Sequence, residues 1–89
     1  MWMILEHFDW LGTEEELEKF TSAIKKTCAE TKGFEYKGRF APWNKKFNYT
    51  FAYETKDIQH YIEAGNNLKY KIDKKILPHM VVDLYKNKD

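Results

Sequence analysis

The hydrophobic pattern is clearest between Gly33 and Tyr53, where aromatic and polar residues alternate along two runs joined by a loop that contains Pro42. Such alternation predicts two β-strands, and their closeness along the chain predicts a hairpin. One parity of the runs is aromatic apart from a glycine; it comprises Phe34, Tyr36, Gly38, Phe40, Phe47, Tyr49, Phe51 and Tyr53. The hairpin is therefore expected to have one aromatic face and one polar face.

An antiparallel register keeps these aromatic positions together. It pairs Phe40 with Phe47, Tyr36 with Phe51, and Phe34 with Tyr53. Gly38 would then lie beside the ring of Tyr49, since sheets commonly cover a glycine with a cross-strand aromatic ring. The polar parity, which includes Arg39 and Asn48, would face the other way.

Elements on both sides of the hairpin follow from the same kind of pattern. Residues 2–9 predict a strand that is apolar on both parities, and residues 79–85 predict a similar last strand. Thr13 and Glu16 form a capping box that begins a helix, and Gly33 is expected to terminate it. A second helix is expected from residues 55–57 to residues 65–67. The segment LKYKIDKKIL after it fits either a strand or a helix and is treated as a connector.

The element order β-α-β-β-α-β predicts an α+β, ferredoxin-like fold with an antiparallel sheet of order 4-1-3-2 and both helices on one face. The aromatic side of the hairpin should face the helices, because the opposite orientation would bury Glu35, Lys37 and Arg39 beneath them. The open face would then be polar over the hairpin and apolar over the first and last strands. An exposed apolar half-sheet on a small domain predicts a contact surface.

Composition narrows the class of protein. Residues 1–89 are expected to form a single domain, and the net charge of +1 argues against a dedicated nucleic-acid binder. The first ten residues lack the basic region of a signal peptide, and no run is long enough to predict a membrane span. The lone Cys28 rules out an internal disulfide, so the expected location is the cytoplasm.

In element order and length, most of the chain resembles the dimeric α+β barrel superfamily, which includes antibiotic-biosynthesis-monooxygenase-like and stress-responsive barrel proteins. The resemblance implies a homodimer paired through the open sheet faces. It also implies a small organic ligand between sheet and helices, and cofactor-free oxygenation as a possible reaction. Haem degradation is not implied, because the first strand lacks the asparagine of the haem-degrading members. No cofactor is expected.

Four residues are candidates for ligand binding: His7, Arg39, Trp43 and Asn48. Arg39, the only arginine, offers a planar fork for a carboxylate or phosphate, with Asn48 one strand away. The alternative is a solvated edge-strand charge. Trp43 could stack on a ligand or close a partner's cavity, or it could cover the end of its own core.

His7 and His79 are expected near the same end of the sheet, but no metal-ligand spacing accompanies them, so no metal site is predicted. His60 is expected at the surface. Cys28, on the apolar stripe of the first helix, is expected to be a buried hydrophobic residue without a nucleophilic role. The lysines of residues 69–75 are expected to be a solvated face.

Two further functions share the predicted fold. An RNA-binding module of the RRM type would need stacking aromatic residues on the open face of the first and third strands, within a glycine-containing signature that Lys46 to Tyr49 lacks. A small interaction or regulatory protein without chemistry of its own is the other alternative.

Overall fold

A computed structural model describes residues 1–43, 46–68 and 80–88. Along the chain they form β1 (Trp2–Phe8), α1 (Glu14–Glu30), β2 (Phe34–Phe40), β3 (Tyr49–Thr55), α2 (Ile58–Asn67) and β4 (Met80–Lys86). The four strands make one antiparallel sheet of order β2-β3-β1-β4. This order is the predicted 4-1-3-2 read from the other edge, so the predicted fold class and strand order are confirmed. No helix in the described parts of the chain is long and apolar enough to span a membrane.

Both helices pack on the same face of the sheet. Phe20 of α1 meets the ring of Phe51 at 5.8 Å, and Tyr61 of α2 meets the ring of Tyr53 at 6.1 Å between centroids. Phe51 and Tyr53 share a parity of β3, so the two helices cover the same side of that strand. The aromatic rings of the hairpin turn toward the helices as predicted, with two exceptions at the loop end.

The local signals that begin the helices also have the expected geometry. In α1 the backbone N–H of Glu16 donates to Thr13 Oγ1, and the backbone N–H of Thr13 donates to the Glu16 carboxylate. This is the predicted capping box, which satisfies two N–H groups that the helix leaves free. α1 ends at Glu30, and Thr31 is its C-cap residue. Gly33 adopts a positive φ of 79° in the turn that enters β2.

The predicted register of the hairpin is wrong. Phe34 pairs with Thr55 and Tyr36 with Tyr53, two positions from the expected partners. A β-bulge interrupts the ladder between Tyr36 and Gly38, where Gly38 takes a φ of 140° that glycine tolerates best. Gly38 therefore lies opposite Ala52 and supplies the bulge conformation, rather than a gap beside Tyr49.

The bulge reverses the parity of β2 beyond it. Arg39 lies opposite Phe51 on the helix-covered face, and Phe40 lies opposite Thr50 on the open face, with 53% of its surface exposed. The expectation that Arg39 belongs to the polar open face and Phe40 to the covered face is therefore wrong. A single extra residue in a strand exchanges the faces of every side chain that follows it.

Candidate functional site

A buried carboxyl group lies at the centre of the helix-covered face. Glu6 shares its parity on β1 with Ile4 and Phe8, both of which are fully buried. The strand therefore directs the Glu6 side chain inward, opposite Phe51 of β3, and leaves it 9% exposed. A charge among apolar neighbours is costly unless its oxygens are bonded.

Two tyrosines bond the two oxygens of this carboxyl group. The Tyr53 hydroxyl, on β3, donates to Oε1 at 2.6 Å, and the Tyr61 hydroxyl, on α2, donates to Oε2 at 2.5 Å. Distances this short are typical of an O–H donor facing an ionised carboxylate. The sheet and the second helix are thus joined through Glu6.

Burial dominates the electrostatics of this group. Desolvation raises the pKa of Glu6 above its ordinary value, and the hydrogen bonds from Tyr53 and Tyr61 oppose that rise. Burial and the nearby carboxylate raise the pKa of both tyrosine hydroxyls, which therefore stay protonated as donors. Burial, with a smaller effect of Glu6, also raises the pKa of Cys28 to about 11, so its thiol is neutral and weakly reactive.

Glu6 lies on the wall of a cavity of about 50 Å³ between the sheet and the helices. The rest of the lining is mostly apolar and comes from both helices, β2 and β3: Ile24, Thr27, Cys28, Phe34, Tyr53, Tyr61, Ala64, Gly65 and Leu68. A cavity of this size holds a few waters or a small organic group. It combines one proton-exchanging group with an aromatic and aliphatic surface.

A second polar cluster surrounds the next residue of β1 on the opposite face. His7 is 4% exposed, with Nδ1 2.7 Å from Thr50 Oγ1 and Nε2 3.0 Å from Asp83 Oδ2. The Phe47 ring stacks on the imidazole at 6.2 Å between centroids. Phe47 was expected on the helix-covered face, and its position against His7 on the open face corrects that expectation.

The four predicted ligand residues do not come together. Arg39 donates to Thr21 Oγ1 and to the Glu18 carboxylate of α1, each at 2.9 Å. Trp43 is 88% exposed in the loop after β2. Asn48 is exposed, and its backbone N–H donates to Asp9 Oδ1. Only His7 lies within a buried polar cluster.

Sequence reasoning did not select Glu6, Tyr53 and Tyr61. A signal for Glu6 was present, because it is a charged residue on the same parity as Ile4 and Phe8. The signal for the tyrosines was absent, because a buried tyrosine in an aromatic run is indistinguishable from a core residue until its hydroxyl partner is known. Their meeting depends on how α2 lies across β1 and β3.

The other residues considered from the sequence have ordinary positions. Cys28 is buried in the core as expected. His60 was expected at the surface but is half-buried, with Nδ1 3.3 Å from the carbonyl oxygen of Gly33. His79 and the lysines of residues 69–75 lie outside the described residues. Within residues 1–43, 46–68 and 80–88, no group of three or more His, Cys, Asp or Glu side chains could share a metal ion.

The open face of β1 and β3 carries no phenylalanine, tyrosine or tryptophan, and its one ring, that of His7, is buried. Its residues on these strands are Met3, Leu5 and His7 of β1 and Thr50, Ala52 and Glu54 of β3. Recognition of single-stranded RNA by such a module depends on bases stacking on aromatic side chains at these positions. The geometry therefore does not favour that alternative.

Comparison with solved structures identifies the same fold in two proteins. A crystal structure of a MhuD variant, with two manganese protoporphyrin IX molecules bound per active site, matches with a TM-score of 0.72 at 10% sequence identity. The match covers 99% of this chain and 95% of that one. A variant of SnoaB, a cofactor-independent oxygenase from Streptomyces nogalater, matches with a TM-score of 0.70 at 13% identity, covering 99% and 93% of the two chains.

These matches confirm the resemblance to the dimeric α+β barrel superfamily at the level of the fold. No protein-family model matches the sequence, and no curated protein sequence matches it significantly. The residues of the cavity do not fit a porphyrin. Among the described residues, the lining has no histidine, its thiol and phenols stay protonated, and about 50 Å³ is far smaller than a macrocycle.

Proposed function

We propose that two copies of this chain pair through their open sheet faces and that each copy binds a small organic ligand in the cavity beside Glu6. The observation that carries the ligand site is a buried carboxyl group, held by two tyrosine hydroxyls, on the wall of an otherwise largely apolar cavity. Concave, mostly apolar sites with a few convergent polar groups are the usual form of small-molecule sites.

The pairing of two copies is supported by the apolar side chains of the open face. Met3, Phe40, Val81 and Tyr85 are between 44% and 53% exposed on this face. They surround the buried His7 cluster, so a second copy would cover apolar surface around polar groups that already have partners. Contiguous apolar surface on a small domain favours association.

Binding in the cavity can be tested by filling it. Ala64 is buried on the cavity wall, whereas Ala29 is exposed on α1. In Ala64→Val, two added methyl groups should abolish the chemical-shift changes that phenol or propan-1-ol produces in labelled wild-type protein. Ala29→Val makes the same change outside the cavity and should leave binding intact. Absence of saturable binding for any small probe would contradict the ligand site.

A cofactor-independent oxygenase reaction is a second candidate, supported by the shared fold with SnoaB and by the presence of a carboxylate base in the cavity. Glu6 would remove a proton from an acidic CH₂ group, and the carbanion would add dioxygen to form a hydroperoxide. Loss of water then gives a carbonyl group, so CH₂ and O₂ become C=O and H₂O. Dioxygen uptake with 2,4-pentanedione, lost in Glu6→Gln, tests this reaction. Uptake equal to the protein-free rate contradicts it.

Trp43 and His7, which the sequence predicts as ligand-binding residues, do not line the cavity beside Glu6. Trp43 is exposed in the loop between β2 and β3, from which a side chain can reach a second copy. His7 lies on the open face. We propose that any contact they make with a ligand occurs at the subunit contact, so that it would be lost in a monomeric variant.

A further inference from the structure

The Glu6 carboxylate has no cationic partner among residues 1–43, 46–68 and 80–88. Within the described residues, no lysine, arginine or histidine bonds to it, and its hydrogen bonds come from Tyr53 and Tyr61. Arg39 belongs to the same cross-strand row, but its guanidinium bonds to Glu18 and Thr21 of α1 instead. A buried carboxylate without a neighbouring cation is energetically costly, so a cationic ligand beside it would be stabilising.

The hydrogen-bond geometry favours the ionised form of this carboxyl group. Each oxygen accepts a phenol at 2.5 or 2.6 Å, and both phenols act as donors. If Glu6 carried a proton, the oxygen that holds it would be a weaker acceptor for its phenol donor than a carboxylate oxygen is. Two short bonds from two donors fit an anion.

The surroundings of the carboxylate suit an organic cation. The rings of Phe34, Tyr53 and Tyr61 all line the cavity, and Phe34 lies 5.0 Å from Tyr53 and 5.8 Å from Tyr61 between centroids. Aromatic rings attract ammonium groups through their quadrupole, and the attraction grows when water is excluded. Ile24, Ala64 and Leu68 provide an aliphatic surface for a short hydrocarbon chain.

We propose that the ligand of this cavity is a small primary amine that enters as its ammonium ion and completes an ion pair with Glu6. This inference rests on the proposed ligand site, and it gives Glu6 the role of countercharge. The cavity of about 50 Å³ admits the ammonium group with a short chain, which limits the class to small alkylamines. An anionic ligand would be repelled by the same carboxylate.

The test compares three probes of nearly the same shape and different charge: propylammonium chloride, propan-1-ol and sodium propionate. Each is titrated into the labelled chain at neutral pH and constant ionic strength, with the amide signals of Thr27 and Tyr61 as the readout. Propylammonium should bind at least about 10-fold more tightly than propan-1-ol, as expected for a hydrogen bond to a charged group. Propionate should not bind.

Two variants assign the effect to the carboxylate. Glu6→Gln should weaken propylammonium binding about 10- to 100-fold. Glu54→Gln, the same change on the open face of β3, should leave it unchanged. Tyr61→Phe keeps the carboxylate and removes one donor, so amine binding should persist in it. If Glu6→Gln fails to fold, the comparison of probes in wild type and in Tyr61→Phe still decides the question.

Each outcome separates this inference from the broader proposal. If propan-1-ol binds as tightly as propylammonium, or if folded Glu6→Gln binds the amine like wild type, the ligand site stands and the amine inference is wrong. If none of the three probes produces a saturable shift, both the site and the amine inference are contradicted.

Discussion

Glu6 and His7 are consecutive residues of β1, both almost fully buried, yet they lie in opposite surroundings. Glu6 is covered by the chain's own helices and has two neutral donors but no countercharge among the described residues. His7 is bonded to the Asp83 carboxylate and lies on the face of the sheet opposite α1 and α2. Among the described residues, the covered face thus holds a carboxylate without a cationic partner, and the open face holds a histidine bonded to a carboxylate. This comparison underlies our proposals of a ligand for the covered face and a second copy for the open one.

The largest expected difference between the two faces concerns core packing. Phe51 is fully buried under α1, so Phe51→Ala should lower the free energy of unfolding by about 3–5 kcal/mol. Phe40→Ala removes the same ring from the open face, where 53% of it is exposed. At protein concentrations that keep the chain monomeric, that change should cost about 0.5 kcal/mol or less. Urea unfolding followed by circular dichroism measures both, and equal losses would contradict the assignment of faces.

Association through the open face can be broken with one charge. Met3 is 44% exposed and lies opposite Glu54, so Met3→Glu places a second carboxylate in the proposed contact. We expect the dissociation constant of the dimer to rise at least about 30-fold, equivalent to about 2 kcal/mol. Sedimentation velocity at several concentrations measures it.

Ser22→Glu, which adds the same charge at an exposed position of α1, is the control and should leave the dimer intact. A wild-type chain that stays monomeric at micromolar concentration would contradict the pairing itself. A dimer that persists in Met3→Glu would place the contact on another surface.

The hydrogen bond between His7 and Asp83 should matter for stability in the single chain. Asp83→Ala leaves the buried Nε2 of His7 without its acceptor, which should cost about 1–2 kcal/mol. Asp83→Asn retains an oxygen acceptor at the same place and should cost less than half as much. If both variants unfold like wild type, the bond from His7 to Asp83 contributes little and the cluster has only a packing role.

The sequence predicted the element order, the strand order and the side of the sheet that the helices cover, because these follow from periodicity and from the cost of burying charge. It failed at Gly38, where a bulge cannot be recognised from alternation alone. That one residue moved Arg39, a predicted ligand residue, to the covered face. The partnership of Glu6 with Tyr61 was beyond reach for another reason. These residues are 55 positions apart, and their contact depends on helix placement.

The smallest expected effect is a pH dependence of folding stability, which we expect from Glu6 on the covered face and not from the open face. Burial raises the pKa of Glu6 above its ordinary 4.5, whereas its tyrosine donors lower it, and the neutral Cys28 thiol faces it from α1. Because the folded state holds this proton more tightly, the stabilising contribution is complete below the unfolded pKa and is lost as pH rises through the folded one. Wild type should therefore lose stability relative to Glu6→Gln as the pH rises above the ordinary Glu6 pKa of 4.5, with a slope below ~1.4 kcal/mol per pH unit.

Urea unfolding across that range measures the difference, and Glu54→Gln on the open face serves as the control, without this slope. The direction of the slope decides more than its size. If wild type instead gains stability relative to Glu6→Gln as pH rises, the carboxylate must be stabilised as an anion within the folded chain itself. The hydrogen bonds from Tyr53 and Tyr61 would then suffice to stabilise the anion without a countercharge, and the case for a cationic ligand would fail.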